Sequence, residues 1–185
     1  ISSHSKVKVI YPDNILVSKK NEGLLYYKNN THWNLLGSYY GYLTLINKIK
    51  EDYSKIPVYL IEEYTEIEHR KGDLTELVPK VLKKEEYTKY KVPKINVSDI
   101  CINIESTESE KLGVECNNKN NELNLVMYRD SFTSALIPYL SNSFKISKYI
   151  WSNNFETKSI KDADIVIFEI VERNLPELID KHLEE

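Results

Sequence analysis

A chain of 185 residues with 41% hydrophobic residues suits one domain with an ordinary core, and a formal charge of −3 offers no cationic surplus for a nucleic-acid partner. It contains no apolar run long enough to cross a bilayer and no cationic-then-apolar leader. Because it begins at Ile1, it reads as a fragment whose signal sequence, anchor or additional strand could lie upstream. Fourteen tyrosines against 4 Phe and 2 Trp fit either carbohydrate contact or a coding bias toward AT-rich codons.

Residues 7–11 alternate and run into Pro12-Asp13-Asn14, which predicts a strand closed by a turn. Ile15-Leu16-Val17 and Leu24-Leu25-Tyr26-Tyr27 predict two further short strands, separated by Asn21-Glu22-Gly23, and the second delivers the chain to His32. From Leu35, apolar residues recur at 35, 39, 42, 46, 49 and 53. These alternating steps of four and three define one buried helix face. Asn34 is a natural N-cap for that helix, and Gly37 and Gly41 leave room for another backbone to approach.

Beyond this helix, residues 56–61 predict a strand and 74–84 a short helix capped by Asp73. Residues 85–93 are charged, Tyr-rich and read as a surface excursion. Residues 97–106 and 113–116 predict a hairpin with 107–111 as its tip, so that a surface insertion spans about 85–121 of a single domain. Cys101 and Cys116 either face each other across that hairpin or remain two unpaired thiols, and the histidines lie too far away in sequence to complete a metal site.

An Asn/Lys loop at 117–121 precedes a strand over 123–128, and only Arg129 and Asp130 separate that strand from Ser131. Helical spacing at 132, 135, 136, 139 and 140 then predicts a helix kinked by Pro138, which places Ser131 at a strand-to-helix turn. A strand over 144–150, a connection at 159–162, a nearly unbroken apolar run over 163–171 typical of a central parallel strand, and a helix over 176–183 complete the chain. Alternating strands and helices predict an α/β fold in three layers around a mostly parallel sheet, with sites beyond the carboxyl ends of the strands. Ser131 and Glu172-Arg173 both follow strands in that sense.

A serine hydroxyl needs a base to take its proton and a third group to hold that base in one tautomer. Ser131 and His32 supply the first two, although a serine at a helix start is ordinarily a cap and a histidine before a helix ordinarily structural.

Tyr26-Tyr27-Lys28 leading to Asn30-Thr31-His32-Trp33, then Gly37, and far downstream Arg129-Asp130-Ser131-Phe132, resemble the SGNH-type domain of the alginate O-acetyltransferase group. These are the AlgJ/AlgX-like and DHHW proteins of cell-surface polysaccharide modification. Gly72-Asp73-Leu74 and Val171-Glu172-Arg173 look like minor signatures of the same family, so the resemblance covers roughly residues 26–173. It implies an SGNH-hydrolase-like sandwich, Ser131 as nucleophile and His32 as base, an extracytoplasmic location and no metal or diffusible cofactor. It also implies a glycan acceptor and a membrane-bound O-acyltransferase as partners. One departure is that the family's triad Asp is Asn30 here. An amide orients the ring but carries no negative charge, and in serine proteases that exchange lowers turnover by about 10⁴. Asn30 is therefore an engineered substitution, a natural variant with slow chemistry or another carboxylate substituting, or the mark of a site that binds without catalysis. Asp130 in principle could approach His32, but in the family its counterpart belongs to the nucleophile turn.

Backbone N–H groups after Ser131 are the candidate oxyanion donors. Arg129 and Arg173 are side-chain candidates, with a structural ion pair the commoner role for either. Tyr27 and Lys28 would line the cleft, and Trp33 would serve as a packing anchor or a sugar platform. Reduced O-acetyltransferase activity is the expected function, with a carbohydrate acetyl esterase or a non-catalytic glycan-binding protein as alternatives.

Overall fold

The structure, a computed structural model, describes residues 6–70, 72–78, 85–91, 96–104, 113–152, 154 and 157–176, with backbone alone for 62–70 and 85–91. It divides into two compact units, Ile1–Val92 and Pro93–Glu185.

The first unit is built around α2 (Leu35–Lys50). Asn34 caps this helix by accepting a hydrogen bond from the Gly37 N–H at 3.0 Å. Its apolar stripe buries Leu36, Tyr39, Tyr42, Leu45, Ile46 and Ile49, and the Tyr42 hydroxyl accepts the Tyr59 N–H at 3.0 Å, so the wet end of a buried ring is satisfied. α1 (Asp13–Lys19) covers Ile15-Leu16-Val17, which the sequence predicts as a strand. Three apolar residues are too few to separate helix from strand by period, and Pro12 followed by Asp13 fits a helix start. The predicted strand at 7–11 forms no ladder, and residues 24–27 contribute only an isolated bridge, Tyr26 to Trp33.

Residues 56–61 likewise remain outside any ladder, and the strand falls immediately after them. β1 (Glu62–Arg70) pairs antiparallel with β2 (Glu85–Lys91) in a register that sets Glu62 opposite Lys91 and Arg70 opposite Glu85, with an irregularity between Tyr64 and Ile67. Thus the beginning of the expected 85–93 excursion is a paired strand. The helix expected over 74–84 is the single turn α3 (Asp73–Leu77), and its N-cap position is Gly72, not Asp73. The remainder of that prediction, 79–84, lies outside the described residues.

The second unit holds a five-stranded mixed sheet with the order β3-β4-β6-β5-β7. A short helical turn, α4 (Val97–Ile100), leads into β3 (Cys101–Ile104), which pairs antiparallel with β4 (Gly113–Asn117). The hairpin predicted from the sequence is therefore an edge of the sheet, since β4 also pairs antiparallel with β6 (Ile146–Trp151). Its predicted tip, 107–111, lies outside the described residues. β5 (Asn124–Arg129) lies between β6 and β7 (Ile165–Phe168), parallel to both. Two of the four pairings are parallel, so the sheet is mixed and not mostly parallel as the sequence suggests. β5 is the buried strand, with Leu125, Val126, Met127, Tyr128 and Arg129 all enclosed. β7, expected to be central, ends the sheet order, and Val166 and Phe168 are 40% and 37% exposed.

Cys101 and Cys116 face each other in the β3–β4 register and form a disulfide closing 15 residues of chain. After Ser131 a 3-10 turn (Phe132–Ala135) precedes α5 (Ile137–Ser143). Pro138 sits in the first turn of α5, where its missing N–H costs nothing, so it starts that helix where a kink was expected. The helix expected over 176–183 lies almost wholly outside the described residues.

Candidate active site

His32 is delivered by a loop tied down at both ends. Asn34 N–H donates to the Leu25 carbonyl at 2.9 Å, Asn34 Nδ2 to the Leu24 carbonyl at 2.5 Å, and Tyr27 N–H to the His32 carbonyl at 3.3 Å. Trp33 is 8% exposed and packs its ring over Gly41, where an added Cβ would come within 2.7 Å of ring carbons. Trp33 is an anchor for the loop. Gly37 lies under the Leu25 carbonyl in the same way, with 2.1 Å to an added Cβ. Residues 28–32 form the loop between these ties, with Lys28 exposed and Tyr27 half-buried.

Within that loop the Asn30 side-chain oxygen accepts the His32 backbone N–H at 3.0 Å and lies 2.7 Å from His32 Nδ1. A backbone N–H can only donate, so this contact fixes the amide oxygen at that position. The same oxygen then requires Nδ1 to carry the ring proton. The Nε2 lone pair is left as the basic position of His32, which is the tautomer that nucleophile activation needs.

A second group stands on the Nδ1 side. Asp73 Oδ1 accepts the Thr31 N–H at 2.9 Å, Asp73 Oδ2 accepts the Thr31 hydroxyl at 2.5 Å, and Oδ2 lies 3.6 Å from His32 Nδ1. Gly72 makes this possible. An added Cβ there would sit 1.6 Å from the Asn29 carbonyl, and that carbonyl accepts the Leu74 N–H at 3.2 Å. The Asp73 carboxyl falls below the usual carboxylate range. Partial burial acts to raise it, but the hydrogen bonds from the Thr31 hydroxyl and N–H, the Leu74 N–H and the charge of His32 outweigh that. The sequence assigns Asp73 a helix cap and a place in the Gly72-Asp73-Leu74 signature, but nothing local ties it to the histidine loop, because its contact with Thr31 spans 42 residues.

Ser131 is presented by different means. β5 ends at Arg129, and Asp130 ties the turn together: Oδ1 accepts the Phe132 N–H at 2.8 Å and Oδ2 the Val171 N–H at 2.7 Å. Beneath the turn, Glu169 Oε2 accepts the Asp130 N–H at 3.0 Å and the Thr133 hydroxyl at 2.8 Å. Burial, followed by the neighbouring Asp130 carboxylate, pushes Glu169 up to about 7, even though the hydrogen bonds from the Thr133 hydroxyl and the Asp130 N–H pull the other way. Arg129 is buried, donates to the Asp130 carbonyl at 3.2 Å and to Ser134 Oγ at 2.8 Å, and stacks on Trp151 with 4.1 Å to the ring centroid. These contacts give Arg129 a structural part. Arg173 is exposed, with its guanidinium 5.6 Å from the Phe132 ring centroid.

Ser131 itself is half-buried, with helical backbone angles. Of the backbone donors expected to form an oxyanion hole, Phe132 N–H is engaged by Asp130 and Ser134 N–H by the Ser131 carbonyl at 3.2 Å. Asn30, Thr31, His32 and Asp73 converge in the first unit, and Arg129, Asp130, Ser131 and Glu169 in the second. Among the described residues no group of three or more His, Cys, Asp or Glu side chains could hold a metal ion.

The fold is similar to that of a DHHW family protein from Eubacterium siraeum DSM 15702, with a TM-score of 0.62 and 17% identity over 89% of this chain and 64% of that one. It is also similar to Bacillus cereus PatB1 bearing a sulfonyl adduct, with a TM-score of 0.64 and 16% identity over 92% and 68%. The O-acetyltransferase domain of Pseudomonas putida AlgJ gives 0.60 and 12% over 95% and 63%. At these identities the likeness is one of fold, an α/β fold with a mixed sheet. The chain spans 64%, 68% and 63% of the three structures' lengths. No family model and no curated protein sequence matches the chain.

Proposed function

We propose that the chain is the O-acetyltransferase domain of a protein that modifies a cell-surface polysaccharide, with Ser131 as nucleophile and His32 as its base. The observation that carries this reading is the Asn30 amide oxygen at 2.7 Å from His32 Nδ1, which fixes the proton there and leaves Nε2 to receive another. Support comes from the fold shared with the O-acetyltransferase domain of AlgJ and from Ser131 standing just beyond the carboxyl end of the buried strand β5.

The chemistry runs in two halves. Ser131 Oγ attacks the acetyl carbonyl of an ester donor while Nε2 of His32 takes the hydroxyl proton. The donor's alcohol then leaves with that proton, and the acetyl group remains on the serine. A sugar hydroxyl next attacks the acetyl-serine and gives its proton to Nε2, which returns it to the departing Ser131 oxygen. Neither half consumes a cofactor. A disulfide between Cys101 and Cys116 supports an extracytoplasmic location, where a membrane-bound O-acyltransferase would supply the acetyl group.

The test uses a chromogenic acetyl ester with and without an oligosaccharide, and a sulfonyl fluoride as a probe of the nucleophile. Ser131→Ala and His32→Ala should each lower ester turnover at least about a hundredfold, and sulfonyl labelling should map to Ser131. Acetyl groups found on the oligosaccharide identify a transferase. Acetate released at an unchanged rate in its presence identifies an esterase. If Ser131→Ala turns over the ester as the native protein does, the nucleophile assignment is wrong and a glycan-binding role replaces it.

A further inference from the structure

The negative charge missing at Asn30 is present a short distance away, on a different element. His32 Nδ1 is surrounded by three oxygens: Asn30 Oδ1 at 2.7 Å, Thr31 Oγ1 at 3.5 Å and Asp73 Oδ2 at 3.6 Å. The first of these orients the ring and the last is charged. The Thr31 hydroxyl stands beside both ring and carboxylate, 3.5 Å from Nδ1 and donating to Asp73 Oδ2 at 2.5 Å. A surface carboxylate meeting a histidine by chance would not need a backbone without a Cβ beneath it. Gly72 supplies one, with the Asn29 carbonyl where its Cβ would be, and two hydrogen bonds from Thr31 then hold both carboxylate oxygens in place.

We propose that Asp73 is a positioning residue that takes over the electrostatic half of the triad acid's task, while Asn30 keeps the orienting half. When Nε2 accepts the serine proton, the ring becomes a cation whose Nδ1–H stays on the Asn30 oxygen. The carboxylate of Asp73 stabilises that cation across 3.6 Å without taking its proton. No bond forms or breaks at Asp73. Separating the two tasks costs reach, because 3.6 Å with a side chain 41% exposed is weaker than a direct contact. It also leaves the site with a carboxylate that Asn30 alone would deny it.

This inference rests on the nucleophile assignment above, so the experiment is arranged to separate the two. Turnover of the acetyl ester is measured for the native chain, Ser131→Ala, Asp73→Asn, Asn30→Asp and the pair Asp73→Asn with Asn30→Asp, with thermal unfolding followed for each. Asp73→Asn keeps the shape of the side chain and removes its charge. It should lower kcat by roughly tenfold to a hundredfold with KM unchanged, less than the about 10⁴ seen for a carboxylate bonded directly to the ring. Adding Asn30→Asp should restore kcat to the native value or above, because a charge on the ring's own partner makes the distant one redundant. A merely structural Asp73 would show the loss without that rescue, and this result overturns the inference, as does an unchanged kcat in Asp73→Asn. If Ser131→Ala has no effect, the nucleophile assignment falls and takes this inference with it. If Ser131→Ala is dead while Asp73→Asn is native, only the inference falls.

Discussion

The histidine loop and the serine turn are held by opposite strategies. The histidine loop is half-exposed and fixed by hydrogen bonds to its own neighbours and to the Gly72-Asp73 turn, over a helix with two glycines facing it. The serine turn sits on a buried strand and is braced by a carboxylate pair, Asp130 and Glu169, and a stacked arginine. The loop can therefore lose a contact and stay folded, with the loss read in chemistry. The turn cannot, because every brace beneath it is a desolvated polar group whose partner must remain.

The sharpest way to break this contrast is Asp130→Ala. It leaves the N–H groups of Phe132 and Val171 without acceptors, each costing about 1–3 kcal/mol where water cannot replace the partner, so roughly 2–6 kcal/mol of stability should disappear. Chemical denaturation measures this. A loss below about 1 kcal/mol would show that the turn is as tolerant as the loop.

Glu169 refines the same comparison through pH. Its value rises from 4.5 to about 7 in the folded state, so the folded protein prefers the protonated acid. That preference stabilises fully below about pH 4.5 and is lost as pH climbs through 7, amounting to at most about 3 kcal/mol between the two limits. Denaturation curves of the native protein should show stability declining from pH 5 to pH 8, and Glu169→Gln, which cannot ionise, should flatten the decline. If both show the same slope, the serine turn is not where the protein senses pH in that range. No comparable trend is expected from Asp73, whose lowered value places its change on the acid side, where stability falls as pH drops.

What the sequence discloses follows the same division. α2 is legible because sixteen residues carry a sustained period and a capping Asn34, and β5 with Ser131 after it is legible because an apolar run meets a change of period. β1 and β2 are not, since Glu and Arg interrupt the first, Glu and Lys the second, and their pairing spans a long separation in sequence. Ile15-Leu16-Val17 reads as a strand because β-branched residues outweigh a seven-residue helix in any local window. His32 and Asn30 are visible together because they are two positions apart. Asp73 is assigned a cap because nothing local connects it with Thr31, and only the fold places a Gly-Asp turn beneath that loop.

Asn30→Asp is the smallest change and the one that bears most directly on how the loop works. A carboxylate at position 30 would keep both acceptor contacts, to the His32 N–H and to Nδ1, and add charge at 2.7 Å. If the native site had no other negative charge near the ring, the gain in ester turnover should approach the about 10⁴ by which serine proteases suffer from the reverse change. With Asp73 already 3.6 Å from Nδ1, much of that stabilisation is in place, and two carboxylates beside one ring repel each other. The expected gain is then about tenfold, measured as kcat on a small acetyl ester with the fold verified by its unfolding temperature. A rise of a thousandfold or more would mean that the native ring is without effective charge support and that Asp73 serves only to hold Thr31. No rise at all, with the fold intact, would mean that proton transfer to His32 does not limit the reaction and that the oxyanion donors at the serine turn, two of which are engaged within the turn, deserve the next substitution.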